Sequence, residues 1–270
     1  MTTQTSLLPG QVGIVTGGGS GIGKCIAIAL AQNGAHVALA DLDLSAAQEV
    51  AKEIEGDYPG IKCLPIECNV ADEASVQAGF KLLMETFGKL NILVNAAGVA
   101  PSFPLVEMPL KLWQLTLDVN LTGYFLMAKE AAKIMIAGKA GGSIVNISSK
   151  SGIEASKNNS PYNATKAGEL HMARGWAMEL GEHDIRVNCI CPGNVFEGSK
   201  IWDETYIAAC AKKKGIKPEE VIPHYVNMSA LKKEIKGENI ADSVVYLSSE
   251  MASRVTGQFI VVDSGQAMAR

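Results

Sequence analysis

The 270-residue chain has no excess of basic residues, few cysteines and no long apolar run. Its 24 Lys and Arg against 28 Asp and Glu leave a formal net charge of −4, which argues against the basic surface that nucleic acid requires. Six cysteines in a chain of this length are too sparse for a disulfide scaffold, so a reducing cytoplasm is the expected compartment. No apolar stretch is long enough to span a bilayer. The opening "MTTQTSLLPG" carries neither the basic segment nor the apolar core of a signal peptide. Neither nucleic acid nor a membrane is therefore an expected partner. Cys189 and Cys191 alternate within the apolar run "IRVNCIC", with no His or Cys pair at zinc-finger spacing beside them, and no metal site is expected.

Apolar residues make up 47% of the chain and charged residues 19%, the balance of a compact protein able to bury a sizeable core. Short apolar runs recur along it: "QVGIVT", "AHVALA", "IKCLPI", "LNILVN", "GSIVNIS", "IRVNCI" and "QFIVV". Each lies near a Gly, Asn or Asp and reads as a strand. Between them lie segments of helical spacing at Ile22–Gln32, Ser45–Ile54, Glu73–Phe87 and Leu110–Ile136. Strands buried on both faces and separated by helices predict a parallel sheet with right-handed crossovers. The expectation is an α/β fold in one domain over 1–270, a Rossmann-type doubly wound sheet of about seven strands. The rhythm breaks between 193 and 236, where no strand is expected and two helical pieces flank "GIKPEE". A segment of that length at the carboxyl ends of the strands reads as a substrate lid.

The first strand runs into "TGGGSGIG", Thr16–Gly23, and then a helix. Gly17 permits the tight turn, Gly21 the close approach of a phosphate, and Gly23 the packing of helix on strand. The helix N-terminus offers free N–H groups and the positive end of its dipole to a pyrophosphate. The second strand ends at Asp41, placed to accept hydrogen bonds from an adenosine ribose and to repel a 2′-phosphate. Gly19, Ser20 and Leu42 around it are uncharged, which favours NAD over NADP. Further along, "SPYNATKAGELH" sets Tyr162 and Lys166 four residues apart, on one helix face that Ala173, Ala177 and Leu180 continue. Taken alone that pair is equally an ordinary packed helix.

Several motifs in one order decide between these readings. "TGGGSGIG" is followed by "NAAG" at Asn95–Gly98, by Asn120 in "NLTG", and by Ser149 thirteen positions before Tyr162. Pro192-Gly193 then follows the sixth strand, and "TGQFIVVDSG" closes the series. From Thr16 to about Gly265 the chain resembles the short-chain dehydrogenase/reductase family. The resemblance implies NAD contacts from the glycine loop including Ile22, from Asp41 and Leu42, from Asn69 and Val70, and from Asn95, Ala97 and Gly98. It extends them to Tyr162, Lys166, Pro192, Gly193 and Val195. Three positions depart from the family pattern. Asn69 stands for an Asp, Ala96 for the second Asn, and Asn194-Val195-Phe196-Glu197 lacks a Thr that touches the carboxamide.

Hydride transfer requires a proton to leave or reach the alcohol oxygen. A free tyrosine, at about 10, is a poor base, and a neighbouring ammonium favours its phenolate. The resemblance makes Tyr162 the general acid/base, Lys166 its tuning group and ribose ligand, and Ser149 the donor to the substrate oxygen. Asn120 would hold a water between Lys166 and solvent. Ser148 is expected to support the backbone, and His171 and His183 to sit on the surface or pack.

The lid resembles that of sorbitol-6-phosphate 2-dehydrogenases and of the dehydrogenase part of rhamnulose-phosphate aldolase/lactaldehyde dehydrogenases. Asn194, Glu197 and Ser199 are candidate ligands for polyol hydroxyls. Lys212, Lys213, Lys214 and Lys217 either meet a substrate anion or solvate a helix end. The expected function is NAD-dependent oxidation or reduction of a small polyol, sugar or sugar phosphate. A 3-oxoacyl-carrier-protein reductase, a lactaldehyde dehydrogenase and a non-enzymatic NAD sensor are the alternatives. The resemblance also implies a homo-oligomer, tetramer or dimer, through the Leu110–Ile136 face and the C-terminal strand.

Overall fold

A computed structural model of the chain describes residues 6–198, 202 and 204–267. Its seven strands are β1 (Val12–Thr16), β2 (His36–Asp41), β3 (Cys63–Glu67), β4 (Ile92–Asn95), β5 (Gly142–Ile147), β6 (Ile185–Pro192) and β7 (Phe259–Val262). They form one sheet in the order β3-β2-β1-β4-β5-β6-β7, and every pairing is parallel. All seven apolar runs of the sequence are strands in it.

Alternate residues of the central strands feed two separate cores. Val15, Leu39, Val94 and Val145 face one side, against α1 (Gly21–Gln32), α2 (Leu44–Asp57) and α9 (Gly237–Ser248). Ile14, Ala38, Leu93 and Ile144 face the other, against α3 (Glu73–Phe87), α5 (Gly123–Gly138) and α6 (Ser160–Leu180). This is the doubly wound arrangement. Its helices are capped by ordinary means: Asp43 and Asp72 accept backbone N–H bonds at the starts of α2 and α3, and Gly88 ends α3 in the left-handed conformation.

The strand order reverses direction between β1 and β4, so the loops that leave their carboxyl ends diverge and open a crevice. Thr16, at the end of β1, ties the two together, its Oγ1 accepting from Ala96 N at 2.9 Å and Ala97 N at 3.0 Å.

The segment read as one helix over Leu110–Ile136 is interrupted. α4 (Leu110–Leu117) and α5 are joined by a π-helical turn, Asp118–Thr122, that holds Asn120. Such a turn is a common device at functional sites. Between 193 and 236 lie α7 (Glu204–Lys214) and α8 (Val221–Asn227). The two ends of this segment meet in a parallel bridge between Val195 and Ile235.

Candidate active site

Two clefts open at the carboxyl ends of the strands and share a seam of Ile22, Ala96, Gly98, Val99 and Val195. The first, of about 390 Å³, is lined by Gly17, Ser20, Gly21 and Gly23 from the loop after β1. Asp41, Leu42, Asn69, Val70 and Ala97 complete it. Gly17 and Gly21 have φ of +67° and +53°, conformations that other residues adopt with strain. A Cβ on Gly17 would lie 3.1 Å from Ala97 Cα, and one on Gly23 would be driven into the Gly17 carbonyl. Ser20 begins α1 without a side-chain cap, so the first N–H groups of a twelve-residue helix face the cleft unsatisfied by it. The Asp41 carboxylate accepts from Gly19 N at 2.8 Å and Asp43 N at 3.0 Å, which fixes its place at the rim. Gly19 itself supports that carboxylate from behind.

Asn95 does not reach either cleft. It is fully buried, its Nδ2 donating to Asn146 Oδ1 at 3.0 Å and to the Tyr124 carbonyl at 3.5 Å. Its place at the end of a central strand turns the amide into the sheet, so a direct cofactor contact through its side chain is not what the structure offers. Asn69 has its Oδ1 on Ala71 N at 3.1 Å, forming the turn into α3.

The second cleft, of about 300 Å³, gathers Ser149, Tyr162, Lys166, Pro192, Gly193 and Asn194. Ser149 follows β5 and accepts from Ser151 N at 3.0 Å, opening a short 3-10 turn. Ser148 turns the other way and donates to the Lys166 carbonyl at 2.8 Å. Tyr162 lies in the first turn of α6, and Lys166 Nζ sits 5.5 Å from the centre of its ring. Asn120 clamps the neighbouring loop. Its Oδ1 accepts from Val99 N and its Nδ2 donates to Val99 O, both at 2.9 Å, with Thr165 Oγ1 at 3.3 Å. Thr165 in turn donates to the Tyr162 carbonyl at 3.0 Å. The Asn120 amide is thus committed to backbone and hydroxyl, and any water it serves would meet its main chain.

Lys166 is almost wholly buried. It donates to the Ile147 carbonyl at 2.9 Å and to Glu169 Oε1 and Oε2 at 2.9 and 3.2 Å. Burial opposes its charge, but Glu169, Tyr124 and Tyr162 together hold its pKa above the ordinary lysine value. The motif spacing does not mark Glu169. It lies seven residues after Tyr162, on the face that Ala173 and Ala177 continue, and a carboxylate on a packed face was the signal available.

The far wall of the second cleft is aromatic. Trp202, Tyr206 and Tyr225 line it, and Trp202 stands edge-on to Phe196, Tyr206 and Tyr225 at centroid distances of 4.7, 5.1 and 5.3 Å. These residues were not read as a site because no spacing in the sequence joins them. Glu197 lines the first cleft rather than the second and pairs with Lys236 at 3.7 Å. The structure does not gather it with Tyr162 in the second cleft. Ser199 lies outside the described residues. Besides Lys166, the second cleft is lined by Lys150, bonded to Gln266 Oε1 at 2.7 Å. Burial lowers its pKa, against the opposing pull of Asp263 and Glu154. Of the lysines at 212–217, Lys214 leans on the ring of Tyr225 at 4.8 Å and meets His224 at 3.1 Å. His171 and His183 are exposed.

A sequence profile described as Enoyl-(Acyl carrier protein) reductase matches residues 17–267. The chain belongs to the short-chain dehydrogenase/reductase family. It is an oxidoreductase acting on an alcohol or carbonyl group. Among its relatives, an uncharacterized oxidoreductase YuxG of Bacillus subtilis (strain 168) is 40% identical over 255 residues, 94% of this chain. This chain spans only 37% of that protein's length. The crystal structure of sorbitol-6-phosphate 2-dehydrogenase SrlD from Erwinia amylovora superposes with a TM-score of 0.91 at 38% identity, covering 95% of this chain and 99% of that one. Carveol dehydrogenase from Mycobacterium avium, solved in complex with NAD, superposes with a TM-score of 0.91 at 27% identity over 97% of this chain and 99% of that one.

A short-chain dehydrogenase/reductase works with a nicotinamide dinucleotide, and the first cleft fits one. Its glycine cradle would be filled by any added Cβ at Gly17 or Gly23, and the uncapped start of α1 offers donors to a diphosphate. The seam leads from there to Tyr162 and Lys166 in the second cleft.

Proposed function

We propose that this protein is an NAD-dependent dehydrogenase of a small polyol, sugar or sugar phosphate. The observation that carries the substrate class is the second cleft itself. Aromatic faces of Trp202 and Tyr225 oppose the polar side chains of Ser149, Asn159 and Asn194. Such a pairing suits a ligand with C–H faces and several hydroxyls, because rings pack the former while amides and hydroxyls hydrogen-bond the latter. The SrlD likeness supports the same reading. Asp41 at the rim of the first cleft, with the uncharged Leu42 beside it, supports NAD over NADP.

The bound cofactor supplies a hydride acceptor or donor. The chain's own residues would do the rest. Ser149 donates to the substrate oxygen and holds it toward Tyr162. The Tyr162 hydroxyl takes or returns the proton of that oxygen. Lys166, anchored by the Ile147 carbonyl, keeps a positive charge beside the phenol and would meet the cofactor ribose by giving up one of its two Glu169 oxygens. Asn120 and Thr165 hold the loop and the helix turn that carry these groups. The segment 193–236 forms the lid, and Lys150 meets a substrate phosphate where there is one. The exposed apolar side chains Leu115 and Phe125 suit a homo-oligomer formed through α4 and α5.

The test is a spectrophotometric screen of polyols, their phosphates, hydroxy acids and lactaldehyde with NAD and NADP. Turnover of a polyol or its phosphate with NAD is the expected result. Measurable NAD binding with no turnover of any of them would overturn the reading in favour of a sensor. Where a phosphorylated substrate is preferred, Lys150→Met should erase that preference and leave the unphosphorylated substrate unaffected.

A further inference from the structure

Behind the proton-transfer pair lies a carboxylate that the reaction as described does not use. Glu169 is 0% exposed, and its two oxygens approach Lys166 Nζ at 2.9 and 3.2 Å. Tyr162, Lys166 and Glu169 stand at i, i+4 and i+7 and so form one stripe of α6. A buried ion pair is costly to desolvate and adds little stability over a packed apolar pair. Its position against the lysine of the cleft therefore calls for a functional reason.

We propose that Glu169 is a positioning residue that attenuates the field of Lys166 on the Tyr162 phenol. This rests on the assignment of Tyr162 and Lys166 made above. The ammonium favours the phenolate, and the carboxylate on its far side offsets part of that effect. The groups facing Glu169 come from three elements. They are Lys166 on α6, Tyr124 on α5, and Cys189 and Cys191 on β6, and the Ser148 hydroxyl after β5 adds a hydrogen bond. Burial pushes Tyr124 and both thiols up, Cys191 to about 12. They stay neutral through the working range. Burial also lifts Glu169 above the ordinary carboxylate range, against the pull of Lys166. Where Glu169 takes up a proton, the ammonium loses its counter-charge and its field on the phenol is no longer offset. Two coupled sites then titrate over a broad range instead of one.

The experiment is the pH profile of kcat/KM for alcohol oxidation in wild type, Glu169→Gln and Glu169→Asp, with NAD affinity measured for each. In the Gln variant the acid limb should move to lower pH by about one unit and become a single-proton limb. NAD affinity should stay within about twofold. An unmoved limb, or one moved to higher pH, overturns the proposal. The Asp variant keeps the charge on a shorter stem and should shift in the same direction by less. If the Gln variant is not recovered folded, the Asp variant decides alone, an unmoved limb again being the negative result. Tyr162→Phe separates the two levels of inference. Full activity in that variant defeats the assignment of the tyrosine, whereas an inactive Phe variant beside an unmoved Gln limb defeats only the role of Glu169.

Discussion

Around the first cleft the chain presents mostly main chain, with Gly17, Gly21 and Gly23 at its floor and the open start of α1 at its end. Around the second it presents side chains, from Ser149 and Tyr162 to the rings of Trp202, Tyr206 and Tyr225. A cradle of backbone tolerates little change, since an added Cβ at Gly17 or Gly23 meets main chain rather than a flexible side chain. A wall of side chains can be exchanged residue by residue. On the proposed function, the family's common requirement, a dinucleotide, would be met by the first kind of surface and its varied requirement, the substrate, by the second.

Three substitutions would break or sharpen that contrast. Tyr162 lies in the second cleft, and Tyr162→Phe should lower kcat by about 10²- to 10⁴-fold while NAD affinity of the folded protein changes far less. Asp41→Ala removes the one carboxylate that faces the first cleft from β2. The ratio of kcat/KM for NAD to that for NADP should fall about ten- to a hundredfold, the worth of a charge-assisted hydrogen bond. Trp202→Leu is the mildest of the three. It should raise the substrate KM by roughly two- to tenfold, as expected for the loss of aromatic packing, and leave the NAD KM alone. An equal rise in both KM values would show that the two clefts do not act separately.

The strands and the glycine loop were legible because each depends on neighbours in sequence: β-branched runs between turn residues, and glycines at a turn of fixed length. The π-helical turn at Asp118–Thr122 was not. Its apolar positions continue the helical spacing on either side, and the turn is stabilised by contacts of Asn120 with Val99 and Thr165, both distant in sequence. Tyr162, Lys166 and Ser149 stood out only through the ordered series of motifs around them, since the Tyr162–Lys166 spacing by itself fits a packed helix. Glu169 was within reach of helical spacing, because stepping along the face of Tyr162 passes through it. The aromatic wall was beyond reach, since Phe196, Trp202 and Tyr225 meet only when α7 and α8 fold over the cleft. Glu197 was misplaced for the same reason. It stands two positions after Val195, which lies on the seam, yet it lines only the first cleft and pairs with Lys236.

The bridge between Val195 and Ile235 bears on how such a chain can diverge. The frame already holds both ends of the intervening segment together, so the entropy of closing that loop grows only slowly with its length. The stretch between the two residues can therefore be lengthened, shortened or replaced as a cassette without disturbing the sheet beneath it. Grafting the corresponding segment of another family member between these two anchor points is the natural way to give this scaffold a different alcohol.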